Sequence, residues 1–279
     1  MKFHYKANYD GHFDDQGIPM LNYHGDIGLQ YNPIAIAQYG LGNYNLYLDI
    51  NDIEYLDKFY AVADWLIDSL KPNQKDIYVW HHYFDFEYRD ILKSPWYSGL
   101  AQGLGLSVLS RAYKESNKQK YLDAHTKAWV SMTKTIHDGG VIDIDKDGNY
   151  WIEEYIVDPP TRILNGFIWA LWGIYDSWKL LEIDLAEDLL KKCYRTLETN
   201  IDKYDNGYWS LYDQAGLPLD NMTSPFYHKL HIVQLEILSN LSGNKTFQEY
   251  ADKWHSYSLS SINKLRALMK KSFFKILYY

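Results

Sequence analysis

Two adjacent carboxylates, Glu153 and Glu154, stand between Trp151 and Tyr155. A carboxyl group held among aromatic rings loses hydration, and its proton affinity rises into the range useful for general acid-base work. The plain alternative is an ordinary carboxylate at a strand end. Upstream, Asp143, Asp145, Asp147, Gly148 and Glu154 fit the spacing D-x-D-x-D-G-x5-E, which between two helices would hold calcium and make Glu154 a ligand. Flanking helices are not expected, the segment reads as a hairpin, and turn chemistry alone accounts for Asp-Lys-Asp-Gly, so no metal is assigned. His228 and His231, three apart on an expected helix, have a spacing that can hold metal but lack further nameable ligands, so a buried or substrate-contacting place is expected for both. Neither G-x-G-x-x-G after a strand nor G-x-x-x-x-G-K-[ST] occurs, so no nucleotide is expected.

The elements that position these residues repeat. Pro33, Pro95, Pro160 and Pro225 are separated by 62, 65 and 65 residues, each just before an apolar stretch, and proline suits a first helical turn. The stretches Ile34 to Asn43, Tyr97 to Tyr113, Thr161 to Leu181 and Phe226 to Ser239 are apolar nearly all round, which predicts buried helices. An amphipathic helix follows each, near Ile53 to Leu70, Lys118 to Ile136, Leu185 to Ile201 and Lys245 to Trp254. Asp147-Gly148 within Val141 to Tyr155, and Asn206-Gly207 within Lys203 to Tyr212, signal β-hairpins between the pairs. The fold expected is mainly α: an α/α toroid of about four helical hairpins, with short β-hairpins at its mouth. The repeat aligns Glu154 with Tyr212, and each hairpin leads into an inner helix, so both should reach one mouth.

The composition is globular, with 47% hydrophobic residues in 279. Tyrosine (27) and tryptophan (10) are abundant; they suit stacking on sugar rings as well as an aromatic core. The formal charge of −8 gives no general attraction to nucleic acid, which is not expected as a partner. One cysteine, Cys193, excludes an internal disulfide, and Met1 to Asp15 shows no apolar run, so a cytoplasmic protein is expected.

Several stretches resemble the D-glucuronyl C5-epimerase family: Tyr31-Asn32-Pro33-Ile34-Ala35-Ile36-Ala37-Gln38-Tyr39-Gly40-Leu41, Trp96-Tyr97 with Ala101-Gln102-Gly103, Trp151-Ile152-Glu153-Glu154-Tyr155, Leu164-Asn165-Gly166-Phe167, Leu211-Tyr212-Asp213, and Tyr227-His228 with His231. The ordered set covers roughly Tyr31 to Trp254. The resemblance implies a cofactor-free inversion at C5 of a uronic acid within a glycan, interconverting glucuronate and iduronate. Glu154 and Tyr227 are similar to the family's proton-transfer pair, and Tyr155 and Tyr212 to its supporting tyrosines. Tyr31, Gln38, Trp96, Gln102, Asn165, His228 and His231 are the substrate-binding residues implied. Two departures stand out. The large β-rich region that precedes this domain in the animal enzymes is missing, and the basic residue that follows the family's Tyr-Asp-Leu is replaced here by Gln214 and Ala215.

Removing a proton next to a carboxylate and returning one on the opposite face needs two proton-transfer groups, plus donors that neutralise the developing enolate. A polysaccharide lyase or uronyl hydrolase on the same scaffold shares the proton abstraction, and a glycan-binding protein that has lost catalysis shares only the aromatic cleft. The expected organisation is an N-terminal extension over residues 1–30 packed on the toroid, a catalytic domain over 31–257 and a basic amphipathic tail over 258–279. Within Lys264 to Tyr279 there are five cations and no acid; removing them from the formal −8 leaves −13 on the rest. Leu265, Leu268, Met269, Phe273, Ile276 and Leu277 recur there at helical spacings, which suits either a helix closing the toroid against its first repeat or one lying on an anionic membrane. The partner expected is a uronic acid-containing oligo- or polysaccharide. A homodimer and contact with the inner membrane face through residues 264–279 are both compatible with the sequence.

Overall fold

The computed structural model describes residues 3–278. Ten helices and ten short strands appear among them, in the order α1 (His4–Ala7), β1 (His12–Phe13), β2 (Pro19–Asn22), β3 (Leu29–Gln30), α2 (Pro33–Ile50), α3 (Ile53–Ser69), β4 (Leu70–Pro72), β5 (Tyr78–His82), β6 (Phe86–Glu87), β7 (Ile91–Leu92), β8 (Trp96–Tyr97), α4 (Gly99–Ser116), α5 (Gln119–Trp129), β9 (Ile142–Ile144), β10 (Tyr150–Ile152), α6 (Leu164–Leu181), α7 (Asp184–Asn200), α8 (Pro225–Ser242), α9 (Lys245–Leu259) and α10 (Ser261–Tyr278). The architecture is the expected α/α toroid: four antiparallel helical hairpins whose apolar members α2, α4, α6 and α8 neighbour one another in that order, with α3, α5, α7 and α9 outside.

Glycines let the inner helices approach closely. A Cβ on Gly173 would lie 1.9 Å from the Gly103 carbonyl oxygen, and one on Gly103 would lie 2.4 Å from Ala170 Cα. Only a residue without a side chain allows α4 and α6 this contact. The outer helices bury one stripe each; in α7 it is Ala186, Leu189, Leu190, Cys193 and Leu197. The N-terminal extension packs on the toroid: α1 sits on α2 at Gly42, and the Phe3 ring lies 6.2 Å from that of Trp169 on α6.

Pro33 and Pro225 occupy first helical turns as expected, capped by Asn32 and Ser224 side chains. Two of the prolines do not. Helix α4 starts four residues after Pro95 and α6 four after Pro160, because main-chain and side-chain contacts described below hold the approach out of the helix, with Arg162 at φ +52° before α6. The Asp147-Gly148 hairpin forms with Trp151 opposite Asp143 and Gly148 at φ +79°. Its expected twin at Asn206-Gly207 shrinks to a single bridge between Asp205 and Ser210, because Ile201–Tyr204 continues α7 as a 3-10 turn. Likewise the second outer helix ends at Trp129 and passes into 3-10 turns, short of Ile136.

The tail is helical and docks, but not on the first repeat. Ala267 packs on Tyr208, Trp209 and Met222, and α10 also touches α9. Tyr279 lies outside the described residues.

Candidate active site

Glu154 follows β10, where the main chain of its neighbour is fixed twice: Glu153 N donates to Val141 O at 3.0 Å, and Gly99 N donates to Glu153 O at 2.9 Å. The two carboxylates then turn to different tasks. Glu153 Oε2 accepts from the amides of Thr161 and Arg162 (3.3 and 3.1 Å), which shapes the loop before α6 and delays the helix start. Burial lifts its pKa to about 7. Glu154 points at the first turn of α6, where a Cβ on Gly166 would lie 2.0 Å from its Oε2. That oxygen is buried with no protein partner among the described residues. Burial raises Glu154 to about 8, assisted by the charge of Glu153 and opposed by a hydrogen bond from the Tyr155 phenol.

Tyr212 arrives from the other side of the same helix start. Its carbonyl accepts from Leu164 N at 3.1 Å and its amide donates to Asn221 O at 2.8 Å. Tyr227 stands in the first turn of α8, its amide capped by Ser224 Oγ. The Tyr212 and Tyr227 rings meet edge-on at 5.1 Å, and Tyr212 hydrogen-bonds to the Tyr227 phenol. Burial raises Tyr155, Tyr212 and Tyr227, and the Glu154 charge pushes each further, so all three phenols stay protonated at neutral pH. The four residues expected to carry chemistry therefore converge, with Glu154 at the centre of their electrostatics.

Trp96 and Asn165 lie beside them. Trp96 meets Tyr155 at 5.9 Å, and Asn165 precedes the glycine under Glu154, with its own buried Oδ1 unpartnered among the described residues. Next to this wall opens a cavity of about 580 Å³ lined by Asn73, Lys75, His81, Trp96, Tyr97 and Ile156. Its volume is that of a small-ligand pocket, but Glu154, Tyr155, Tyr212 and Tyr227 do not line it, and Trp96 is the residue it shares with the wall of the cluster.

Other expected binding residues are engaged elsewhere. Tyr31 donates to Asp14 at 2.6 Å and packs on Trp65. Gln102 uses its amide on the main chain of Trp80 and Ser98, tying β5 to α4. Gln38 is buried within α2. His228 stacks on Trp209 at 3.7 Å and joins Ser210 Oγ (2.7 Å) to Trp254 O (3.0 Å), while His231 also reaches Ser210 Oγ (3.2 Å). Both histidines are buried, and burial lowers them to about 4 and about 3, so they are neutral braces between α8, α9 and the 205–212 segment. The aspartates of the calcium-like pattern are taken up locally. Asp145 accepts from Asp147 N, Asn149 and Trp151 Nε1, which outweigh burial and hold it at about 2. Arg162 stands 3.5 Å from Asp143 and 3.8 Å from Asp145. The flanking elements are strands, as the hairpin reading expects.

Sequence reasoning missed Tyr88, whose ring lies 4.5 Å from that of Tyr155 and whose hydroxyl donates to Asp213 at 3.3 Å. It also missed Lys271 on α10, 5.4 Å from the Tyr212 ring. Nothing local marks either residue.

The family model described as D-glucuronyl C5-epimerase C-terminus matches residues 74–256. The chain belongs to that family. It is 33% identical over 218 residues to the D-glucuronyl C5-epimerase of Caenorhabditis elegans, covering 72% of this chain but only 35% of the nematode protein. An uncharacterized protein of Methanocaldococcus jannaschii is 27% identical over 244 residues, 82% of this chain and 78% of its own length. Among solved structures, a sugar epimerase from a ruminal bacterium (TM-score 0.61, 14% identity, 90% of this chain and 66% of that one) and the cellobiose 2-epimerase of Spirochaeta thermophila (0.60, 13%, 91% and 65%) share the fold. In this family member the residues that match the quoted family motifs at Glu154, Tyr155, Tyr212 and Tyr227 form one cluster.

Proposed function

We propose that the protein is a uronic acid C5-epimerase acting on a glycan. The observation that carries this reading is the buried Glu154 carboxyl, proton-hungry and open at Oε2, set beside three protonated phenols. In the forward direction Glu154 takes the C5 proton, and the electron pair of the C5–H bond passes into the carboxylate to form an enediolate. Tyr227 then delivers its phenolic proton to the opposite face of C5, and the pair returns to make the new C5–H bond. Glu154 is left protonated and Tyr227 ionised, until proton transfer through solvent or the hydrogen-bonded phenols resets them. Tyr212 supports the Tyr227 phenolate by its hydrogen bond, and Tyr155 does the same for Glu154. An acid near 8 suits a reversible reaction, because it accepts in one direction and donates in the other at similar cost.

The chemistry needs no electron carrier. Among the described residues no helix is long and apolar enough to cross a membrane. The test is incubation of uronic acid-containing oligosaccharides with the protein in deuterated water. Deuterium at C5 with no new unsaturated product supports the reading; an unsaturated product assigns a lyase, and binding without exchange assigns a glycan-binding protein.

A further inference from the structure

The C-terminal helix reaches the site with one face. Ala267, Lys271, Phe274 and Tyr278 recur four, three and four residues apart, and Ala267 and Phe274 are fully buried. Between them Lys271 is half-buried: its Nζ donates to Asn221 Oδ1 at 2.6 Å, and Asn221 Nδ2 donates in turn to Asp213 Oδ2 at 2.6 Å. The groups facing it are Asp213 and Tyr212 from the segment before α8 and Lys275 on its own helix; Tyr88 and Arg89 from the β6–β7 turn line the small pocket beside it with Asp213, Asn221 and Phe274. Of the two arginines nearby, Arg89 is paired with Asp90 at 3.0 Å and Arg162 is engaged with Asp143 and Asp145.

We propose that Lys271 is the group that receives the substrate carboxylate beside Tyr212. This rests on the C5-epimerase reading. The carboxylate is bonded to the reacting carbon, so as C5 loses its proton the charge grows on those oxygens, and a cation placed there stabilises the transition state more than the ground state. Gln214 and Ala215 carry no charge where the segment after Tyr212-Asp213 could supply one, and Lys271 brings a cation beside Tyr212 and Asp213 from outside the repeats. Burial lowers Lys271 to about 8, countered by Asp213, so the cation is present at neutral pH and fades above it. The test compares wild type, Lys271→Met and Lys271→Arg for C5 deuterium exchange, and for binding of a uronate oligosaccharide against its carboxyl-reduced counterpart. Lys271→Met should lose at least ~10²-fold in kcat/KM and bind both oligosaccharides alike. Lys271→Arg should keep activity within about tenfold and shift the alkaline limb upward, since arginine stays charged. Equal exchange by wild type and Lys271→Met, or an unmoved limb in Lys271→Arg, overturns the proposal. A wild type that binds uronate through Lys271 yet exchanges nothing overturns the C5-epimerase reading instead.

A second inference rests on the opposite face of the same helix. Ile262, Leu265, Met269, Phe273 and Ile276 follow at intervals of three, four, four and three, which on an α-helix is one stripe. All five are exposed, Ile276 at 79%. At 3.6 residues per turn, Lys264 and Lys275 flank the stripe on one side, and Arg266 and Lys270 on the other. We infer that this face lies on an anionic lipid surface. A chain carrying −13 elsewhere is repelled by such a surface, whereas this basic, apolar face complements it. Full-length protein should sediment with phosphatidylcholine vesicles containing phosphatidylglycerol, less so in high salt, and weakly with phosphatidylcholine alone. Phe273→Ser with Ile276→Ser should abolish this with exchange activity and thermal stability unchanged. Absence of sedimentation with anionic vesicles overturns the inference, as does a dimer in solution that the same double change dissociates.

Discussion

Gly166→Ala tests the position of the Glu154 carboxylate without touching its chemistry. The new Cβ would lie 2.0 Å from Oε2 and 2.8 Å from both Cβ and Cδ of Glu154. Glu154 is rooted in the β10 hairpin, so ordinary contact near 3.4 Å returns only when its carboxylate end gives way by more than 1 Å and its Cβ by a few tenths of an ångström. Misplacing a reacting group by that distance costs roughly 10²-fold in rate. Stability should change little, because alanine in a helix gains up to ~1 kcal/mol over glycine and offsets part of the crowding. The expected result is a loss of about two orders of magnitude in kcat for C5 deuterium exchange, a smaller change in KM and a melting temperature within a few degrees of wild type. Exchange within threefold of wild type refutes the argument that the Glu154 position limits the reaction.

Glu154→Gln should abolish exchange in a folded protein, and activity within tenfold of wild type rules out the assignment. The same variant has a thermodynamic signature. With the folded pKa raised from 4.5 to about 8, wild type holds a proton in the folded state that the unfolded chain releases. Its stability therefore falls as pH rises through that window, by at most ~1.4 kcal/mol per unit. The stability advantage of Glu154→Gln should thus grow between those pH values and level off above, and denaturant titrations showing a pH-independent difference would contradict the raised pKa. Tyr227→Phe and Tyr212→Phe should each lose at least ~10²-fold in exchange; full activity in both sets aside the phenol roles. Gly173→Ala should act on the fold instead, since its Cβ would meet the backbone of Gly103: a loss of about 1–3 kcal/mol, read by urea unfolding, is expected.

The helical hairpins were legible because burial writes a 3.6-residue period, or an unbroken apolar run, directly into the chain. The proline repeat was legible only in part. Pro33 and Pro225 start helices, whereas the Glu153 side chain organises the main chain of Thr161 and Arg162 and keeps Pro160 outside α6. Gln102, His228 and His231 sit in family motifs, yet their polar atoms serve Trp80, Ser210 and Trp254; a motif marks a position without saying whether it faces a ligand or a neighbouring helix. Tyr88 and Lys271 were invisible because they join the site from 125 and 50 residues away in hydrogen-bond partner separation. The tail appeared to offer a choice between docking and a membrane face, but a single helix has two sides, and α10 docks one while exposing the other.

Inversion at a carbon demands groups on opposite faces of a ring, which one hairpin cannot supply. Adjacent repeats of a toroid can. Glu154 ends the segment that leads into α6, Tyr212 ends the equivalent segment of the next repeat, and Tyr227 begins the helix that follows it. Because the segments precede neighbouring inner helices, the proposed mechanism draws Glu154 from one repeat and Tyr227 from the other. The third requirement, a cation at the carboxylate, has no place in a repeat whose equivalent position holds Gln214-Ala215. On the proposal made for Lys271 it is met by α10, which follows the last hairpin and places that side chain 5.4 Å from the Tyr212 ring. Under the proposed mechanism, proton transfer falls to residues of the repeats and charge neutralisation to the helix that follows them.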